Sequence, residues 1–313
     1  MSCGSASDSM PRSRPTNSIL AALSVGMVLA WGLNFLFVRV GLGSSPPLWL
    51  AALRAVLGTV GIVAGLLAWR PDVAMTPRER IDALLIGIPN TGLFFGLWFS
   101  AASQVPPGQT AVVIYTFPLW VVVLSFLLLS ERPRVLVWPS VLVGFLGVVL
   151  IEQPWSGAGG HVPPVAVVEL LAAAACWALG TVLLKWRIRG PALRTASAYQ
   201  LLSGAVVLLL GAVLFEPHPA ITVSTSFVLS LLWLGLVGTA FAYAAWFALL
   251  ERFPATTIST WAFLTPVVAL VASAVIFGER LDAVQLLGVA AVLGSVVAVA
   301  RTAATELASK GST

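Results

Sequence analysis

The sequence predicts an all-α polytopic membrane protein of ten transmembrane helices, arranged as two inverted five-helix repeats with both termini in the cytoplasm. Three observations carry this. The first is composition. Of 313 residues, 59% are hydrophobic and 9% charged, against about 45–50% and about 25% in a soluble domain. A water-soluble fold of this size has to cover itself with polar side chains, and this chain has too few. The second is a set of ten apolar runs near the length that crosses ~30 Å of hydrocarbon at ~1.5 Å per residue. The third is a repeat. Pro106, Pro118, Glu131 and Arg132 recur as Pro254, Pro266, Glu279 and Arg280, all at a spacing of 148. A duplication built from membrane-length segments is the mark of an inverted-repeat fold.

The runs follow in order, parted by short Gly/Pro/Ser-rich or charged stretches. A polar, Pro/Ser-rich tail (residues 1–17) resembles neither a signal peptide nor a lipoprotein signal, so the first run is expected to stay as an anchor. Ile19–Val40 carries Trp31 and Asn34, and Pro47–Trp69 carries Arg54. Ile81–Ala102 contains Pro89 and Trp98. Thr110–Leu129 has Pro118 in its interior and stops at Glu131-Arg132. Val135–Ile151 closes the first repeat, residues 18–152. Pro164–Leu184 carries Glu169 and Trp177, Ala196–Leu214 carries Gln200, and Phe227–Leu250 carries Tyr243 and Trp246. Thr256–Phe277 contains Pro266 and stops at Glu279-Arg280. Ala283–Ala300 completes the second repeat, residues 164–301, before a cytoplasmic tail, 302–313. The fifth and tenth runs are the shortest. A β-barrel would alternate apolar and polar residues, and these runs are continuous.

Basic residues orient the chain. With the N-terminus inside, the cytoplasmic segments hold Arg12, Arg14, Arg70, Arg78, Arg80, Arg132, Arg134, Lys185, Arg187, Arg189, Arg194, Arg252, Arg301 and Lys310. Only Arg280 lies in an outer segment, with Arg39 at a helix end and Arg54 within a span. The repeat extends over all ten runs. Trp31 matches Trp177, Arg54 matches Gln200 and Gly58 matches Gly204 at a spacing of 146. Thr91, Phe95, Trp98 and Phe99 match Thr239, Tyr243, Trp246 and Phe247 at 148. Five is odd, so the second half enters from the opposite side. Inverted halves give two conformations of similar energy, one open to each side, with a site near the midplane.

The same composition excludes several functions. The net charge of +5 is spread between apolar runs rather than gathered in a patch, so nucleic acid is not a partner; the lipid bilayer is. Cys3 lies in the tail and Cys176 in an apolar run, which argues against a disulfide. Both histidines, His161 and His218, fall in outer loops, and no HExxH, GxSxG or paired intramembrane acid is present. An enzyme, a metal and a cofactor are therefore not expected. No selectivity filter or ring-forming motif argues for a channel.

Arg54 leads the candidate functional residues. A charge within a span is costly and faces a cavity or a partner. It lies about 10 Å in from the outer end of its span. Glu169 enters the sixth span from the same side to a similar depth, so a pair or a shared vestibule is expected, with proton coupling a further role for Glu169. Gln200 takes the place of Arg54 in the other half. Trp31, Asn34, Trp98, Tyr115, Trp177, Tyr243 and Trp246 are polar or aromatic groups inside spans, suited to line a cavity for an amphipathic solute. Pro118 and Pro266 each remove a backbone hydrogen bond in mid-span and are hinge candidates. Glu131 and Glu279 are expected to clamp helix ends.

Taken together, Trp31-Gly32, Trp177-Ala178-Leu179-Gly180, Arg54, Gly238-Thr239-Ala240 with Tyr243 and Trp246, and the doubled Pro…Glu-Arg segments resemble the drug/metabolite transporter superfamily, in its ten-helix EamA-type branch. The resemblance spans about residues 18–301. Ala178 departs from the Gly32 of the first half, which bears on helix packing. The resemblance implies transport of a small-molecule substrate across the cytoplasmic membrane through a cavity between the halves, often export of amino acids, metabolites or drugs. A sugar-phosphate or nucleotide-type carrier is the sibling alternative. Phosphate asks for several buried Lys or Arg, and only Arg54 qualifies.

Overall fold

The computed structural model describes residues 17–69, 75–131, 135–155, 163–277 and 281–310. All regular structure among these residues is helical. Among the described residues nine helical spans are long and apolar enough to cross a bilayer, and the fifth, Val137–Glu152, is an apolar helix of 16 residues. At ~1.5 Å per residue it reaches only about 24 Å. Large apolar side chains such as Leu67, Leu214 and Val275 stay exposed on the perimeter (70%, 71% and 78%), which only lipid would cover without penalty.

The two halves are inverted copies in contact as well as in sequence. The second span (Pro47–Trp69) packs on the seventh (Ala192–Phe215), and the fifth packs on the tenth (Ala283–Lys310). The first span (Asn17–Leu42) meets the eighth and ninth, as the sixth (Pro164–Arg187) meets the third and fourth. The second also meets the eighth, as the seventh meets the third.

Four spans are irregular, in two symmetric pairs. The third runs as Pro77–Gly87, a π-helical segment Ile88–Leu93, then Phe94–Ala102. The eighth runs as Thr225–Leu232, a π-helical segment Trp233–Phe241, then Ala242–Leu250. Pro89 lies in the first π segment, but the second has no proline, so proline alone is not the cause. In the eighth span, Thr239 Oγ1 donates to Leu234 O, five residues back, at 2.8 Å. Pro118 and Pro266 mark the other pair. The fourth span divides into Pro107–Ile114 and Phe117–Leu128, the ninth into Ala255–Trp261 and Leu264–Phe277. Each break is two residues long and falls just before the proline, so these spans are interrupted rather than merely kinked.

Without a hydrophobic drive between helices in lipid, close packing has to hold the halves together. Small residues provide it at matched places. A Cβ on Gly147 would meet Gly288 O at 2.8 Å, and one on Gly288 would meet Gly147 O at 2.7 Å. A Cβ on Gly58 would collide with the Thr239 side chain, and one on Gly204 with Thr91. Gly204→Ala is therefore expected to cost about 1–3 kcal/mol through overpacking. Gly211→Ala, on the same helix with nothing within 4 Å, is expected to be neutral or stabilising by up to ~1 kcal/mol. Thermal unfolding of the purified protein in detergent checks both; equal melting shifts would contradict the packing account.

Carboxylates fix several helix starts. Asp282 Oδ1 accepts from the Gln285 backbone N–H at 2.8 Å while Gln285 Oε1 accepts from Asp282 N, and Gln153 Nε2 donates to Asp282 Oδ2 at 2.6 Å. These bonds, the Gln285 backbone N–H first, hold the Asp282 carboxyl below its ordinary range. At the N-terminal end of the second span, Glu216 accepts from Leu48 N and Trp49 N, each at 3.1 Å, and its carbonyl accepts from Trp49 Nε1 at 2.9 Å. A negative charge at a helix N-terminus is favourable. Here it also fixes the helix that carries Arg54.

Candidate functional site

Between the halves lies a cavity of about 470 Å³, its open mouth included, lined by Trp31, Asn34, Phe35, Arg54, Phe94, Phe95, Trp98, Ile114, Tyr115, Phe117, Trp177 and Tyr243. Six spans contribute, the first to the fourth from one half and the sixth and eighth from the other, and in sequence most of these residues fall at or outside the midpoint of their spans.

Among the described residues Arg54 is the one ionisable cation in the lining, and it is 1% exposed. Its Nε donates to Thr239 Oγ1 at 2.9 Å and its Nη2 to Gly238 O at 3.3 Å. With the Asn34 amide turned to satisfy both its ends, Oδ1 accepts from Arg54 Nη2 at 3.2 Å and Nδ2 donates to Ala30 O at 3.3 Å. The guanidinium lies over the Phe95 ring, 4.2 Å from its centroid. Nη1 has no protein partner.

The π segment explains why Gly238 O is available to it. The Ala242 N–H bonds to Val237 O and Thr239 O rather than to Gly238 O. Gly238 O instead accepts from Arg54 and from Trp31 Nε1 at 3.3 Å. The third span repeats the geometry, with the Phe94 N–H on Pro89 O and Thr91 O. There Thr91 Oγ1 donates to Gln200 Oε1 at 3.0 Å. The two junctions are therefore related but unequal. One brings a cation to the cavity, and the other closes on a neutral amide.

A second exchange accompanies this one. Asn34 of the first span lies against Gly238 of the eighth, so that a Cβ on Gly238 would collide with it. In the twin junction the residues are traded. Gly180 of the sixth span lies against Asn90 of the third, whose Nδ2 donates to Trp177 O at 3.0 Å.

Aromatic rings make most of the wall. Trp31 and Trp177 meet edge-to-face at 5.7 Å, Phe94 lies 4.9 Å from Trp177, and Tyr243 lies 5.4 Å from Trp177. Of the residues expected in the lining, Trp31, Asn34, Arg54, Trp98, Tyr115, Trp177 and Tyr243 are there. Gln200 and Trp246 are behind it. Gln200 is wholly buried in the seventh–third junction, and Trp246, also wholly buried, packs under Trp31 and Trp177 at 5.2 and 5.6 Å. Phe35, Phe94, Phe95, Ile114 and Phe117 were not expected from sequence, because a phenylalanine in an apolar run has no feature separating cavity from lipid.

The expected Arg54–Glu169 pair does not form. Arg54 is held by the eighth and first spans, while Glu169, half-buried, accepts from Ser100 Oγ at 3.3 Å between the sixth and third. Glu131 does clamp a helix start. It accepts from Ala255 N at 3.1 Å, at the beginning of the ninth span, and pairs with Lys185 Nζ at 3.3 Å. Lys185 also donates to Phe253 O, and Arg194 pairs with Glu251 at 2.7 Å nearby. Glu279, its counterpart, lies outside the described residues.

Known proteins agree with this architecture. The EamA-like transporter family matches residues 18–153 and again 165–301. "Uncharacterized transporter YvbV" of Bacillus subtilis (strain 168) is 28% identical over 286 residues, covering 88% of this chain and 90% of its own. A "Probable amino-acid metabolite efflux pump" of Salmonella typhimurium (strain LT2) is 32% identical over 278 residues, covering 85% and 89%. A solved structure titled only "Crystal structure of protein" superposes with a TM-score of 0.76 at 22% identity, over 93% of this chain and 99% of that one. That likeness speaks for the fold alone.

Proposed function

Because the chain belongs to the EamA-like transporter family, we propose that it is an alternating-access carrier exporting a small amphipathic metabolite across the cytoplasmic membrane, with both termini inside. The observation that carries this reading is the aromatic cavity between inverted halves, with a single buried cation in its wall. Relatives named as amino-acid metabolite efflux pumps support the substrate class. The Glu131–Lys185 cluster and the wholly buried Trp246 lie towards the cytoplasmic ends of their spans and would form the closed inner side. Alternating access would move the closure to the outer side, with the breaks before Pro118 and Pro266 as the bending points.

The test is a panel of labelled amino acids and aromatic metabolites. Cells carrying the protein are expected to accumulate less of the true substrate than cells without it. Proteoliposomes are expected to show saturable uptake that rises several-fold when unlabelled substrate is loaded on the far side. Flux that stays linear in concentration and ignores the far side would make the protein a channel.

A further inference from the structure

We propose that the cavity selects an aryl carboxylate without an ammonium group, with Arg54 Nη1 as the partner of the carboxylate. This rests on the carrier reading and narrows its substrate class. Three observations lead to it. Arg54 is buried, and among the described residues no Asp or Glu lines the cavity with it, so its charge is uncompensated by any described lining residue. A buried charge without a partner is costly, and in this family of folds a charge inside a span marks a substrate path. Nε and Nη2 are fixed by Thr239, Gly238 and Asn34, which leaves Nη1 unpartnered on a guanidinium already held in one orientation. A preorganised donor of this kind binds a carboxylate through a charge-assisted hydrogen bond.

The rest of the wall points the same way. The other unpartnered polar groups of the lining are Trp98 Nε1, Trp177 Nε1 and the Tyr243 hydroxyl. Both indoles are donors only, and the hydroxyl can donate. The wall is thus poor in acceptors, and it has no acid to receive an ammonium. An amine would place a second positive charge near Arg54 in a low-dielectric space. A zwitterion would satisfy Arg54 but leave its ammonium only ring faces. A phosphate would bring more negative charge than one guanidinium offsets. A ring carrying one carboxylate matches both the charge and the Trp31, Phe94 and Trp177 surfaces.

Purified wild-type protein in detergent, followed by intrinsic tryptophan fluorescence, is titrated with 3-phenylpropionate, 3-phenylpropionamide, 3-phenylpropylamine and phenylalanine. The carboxylate is expected to bind at least ~10-fold more tightly than the amide, the amine weakest, and phenylalanine below the carboxylate. Equal binding of carboxylate and amide overturns the proposal, as does tighter binding of phenylalanine or the amine, or no binding of any of the four. These outcomes need no variant. In Arg54→Gln, the carboxylate is expected to fall to the affinity of the amide, with the amide changed by less than ~3-fold. A folded Arg54→Gln that loses both ligands equally assigns Arg54 to packing and overturns the proposal. Saturable counter-transport of other solutes alongside a negative titration would sink this inference and leave the carrier reading intact.

Discussion

Gly180→Asn is expected to abolish transport and cost about 3 kcal/mol, and adding Asn90→Gly is expected to restore most of both. The single change drives a side chain into Asn90, whose Cβ and amide already occupy the space beside Gly180. Overpacking of this kind typically costs 1–3 kcal/mol, and here it also crowds two amides between tightly packed helices. The double change rebuilds, in the sixth–third junction, the pair that already works as Asn34 against Gly238. Asn34 bonds to Ala30 O and to Arg54. An asparagine at 180 would find the matching groups, the Cys176 carbonyl and the amide of Gln200, whose Nε2 is buried without a partner. Melting temperatures of the four proteins give a double-mutant cycle, with an expected coupling of about 2 kcal/mol. Additive effects would show that the two junctions are not interchangeable.

The second large effect is expected from Glu131→Ala. The change leaves the Ala255 N–H at a helix start and the Lys185 ammonium without their shared acceptor. Both side chains of the ion pair are less than a quarter exposed (23% and 18%). The loss is expected to be about 2 kcal/mol, below the 3–5 kcal/mol of a fully buried pair. Because the cluster ties the fourth and sixth spans to the ninth, transport is expected to fall at least ~10-fold. Glu131→Gln, which keeps an acceptor for Ala255 N–H but not the charge, is expected to fall in between. Transport at the wild-type rate in folded Glu131→Ala would remove the cluster from the conformational cycle.

Much of this was legible in the sequence because lipid imposes a strong signal. Ten apolar runs, their proline interruptions and the duplicated spacing all follow from hydrocarbon thickness and backbone chemistry. Arg54 was legible because a charge has no neutral reason to be in a span. The faces of the helices were not. In a run apolar all round, no periodic contrast tells cavity from lipid, so nothing in the sequence marks Phe94 or Phe117 as lining, Phe95 is visible only as the repeat mate of Tyr243, and Trp246 lies one layer behind the wall rather than in it. The pairing of Arg54 with Glu169 rested on depth alone, which says nothing of rotation about the helix axis. The π segments were hidden for another reason. In the eighth span a threonine hydroxyl bonds five residues back, while its mate Thr91 in the third bonds to Gln200 instead, and in sequence Thr91 and Thr239 are only one more matched pair.

The traded asparagine and glycine have a bearing on ancestry. A half that could pair with a copy of itself would have to fit its own surface. Two first halves would bring Asn34 against Asn90, two amides where there is room for one, and leave Gly61 facing Gly92. Two second halves would leave Gly180 facing Gly238, a hollow, and press Val207 onto Ala240. Neither half can any longer serve as its own mate, so the single gene that joins them cannot be split back into one symmetric subunit.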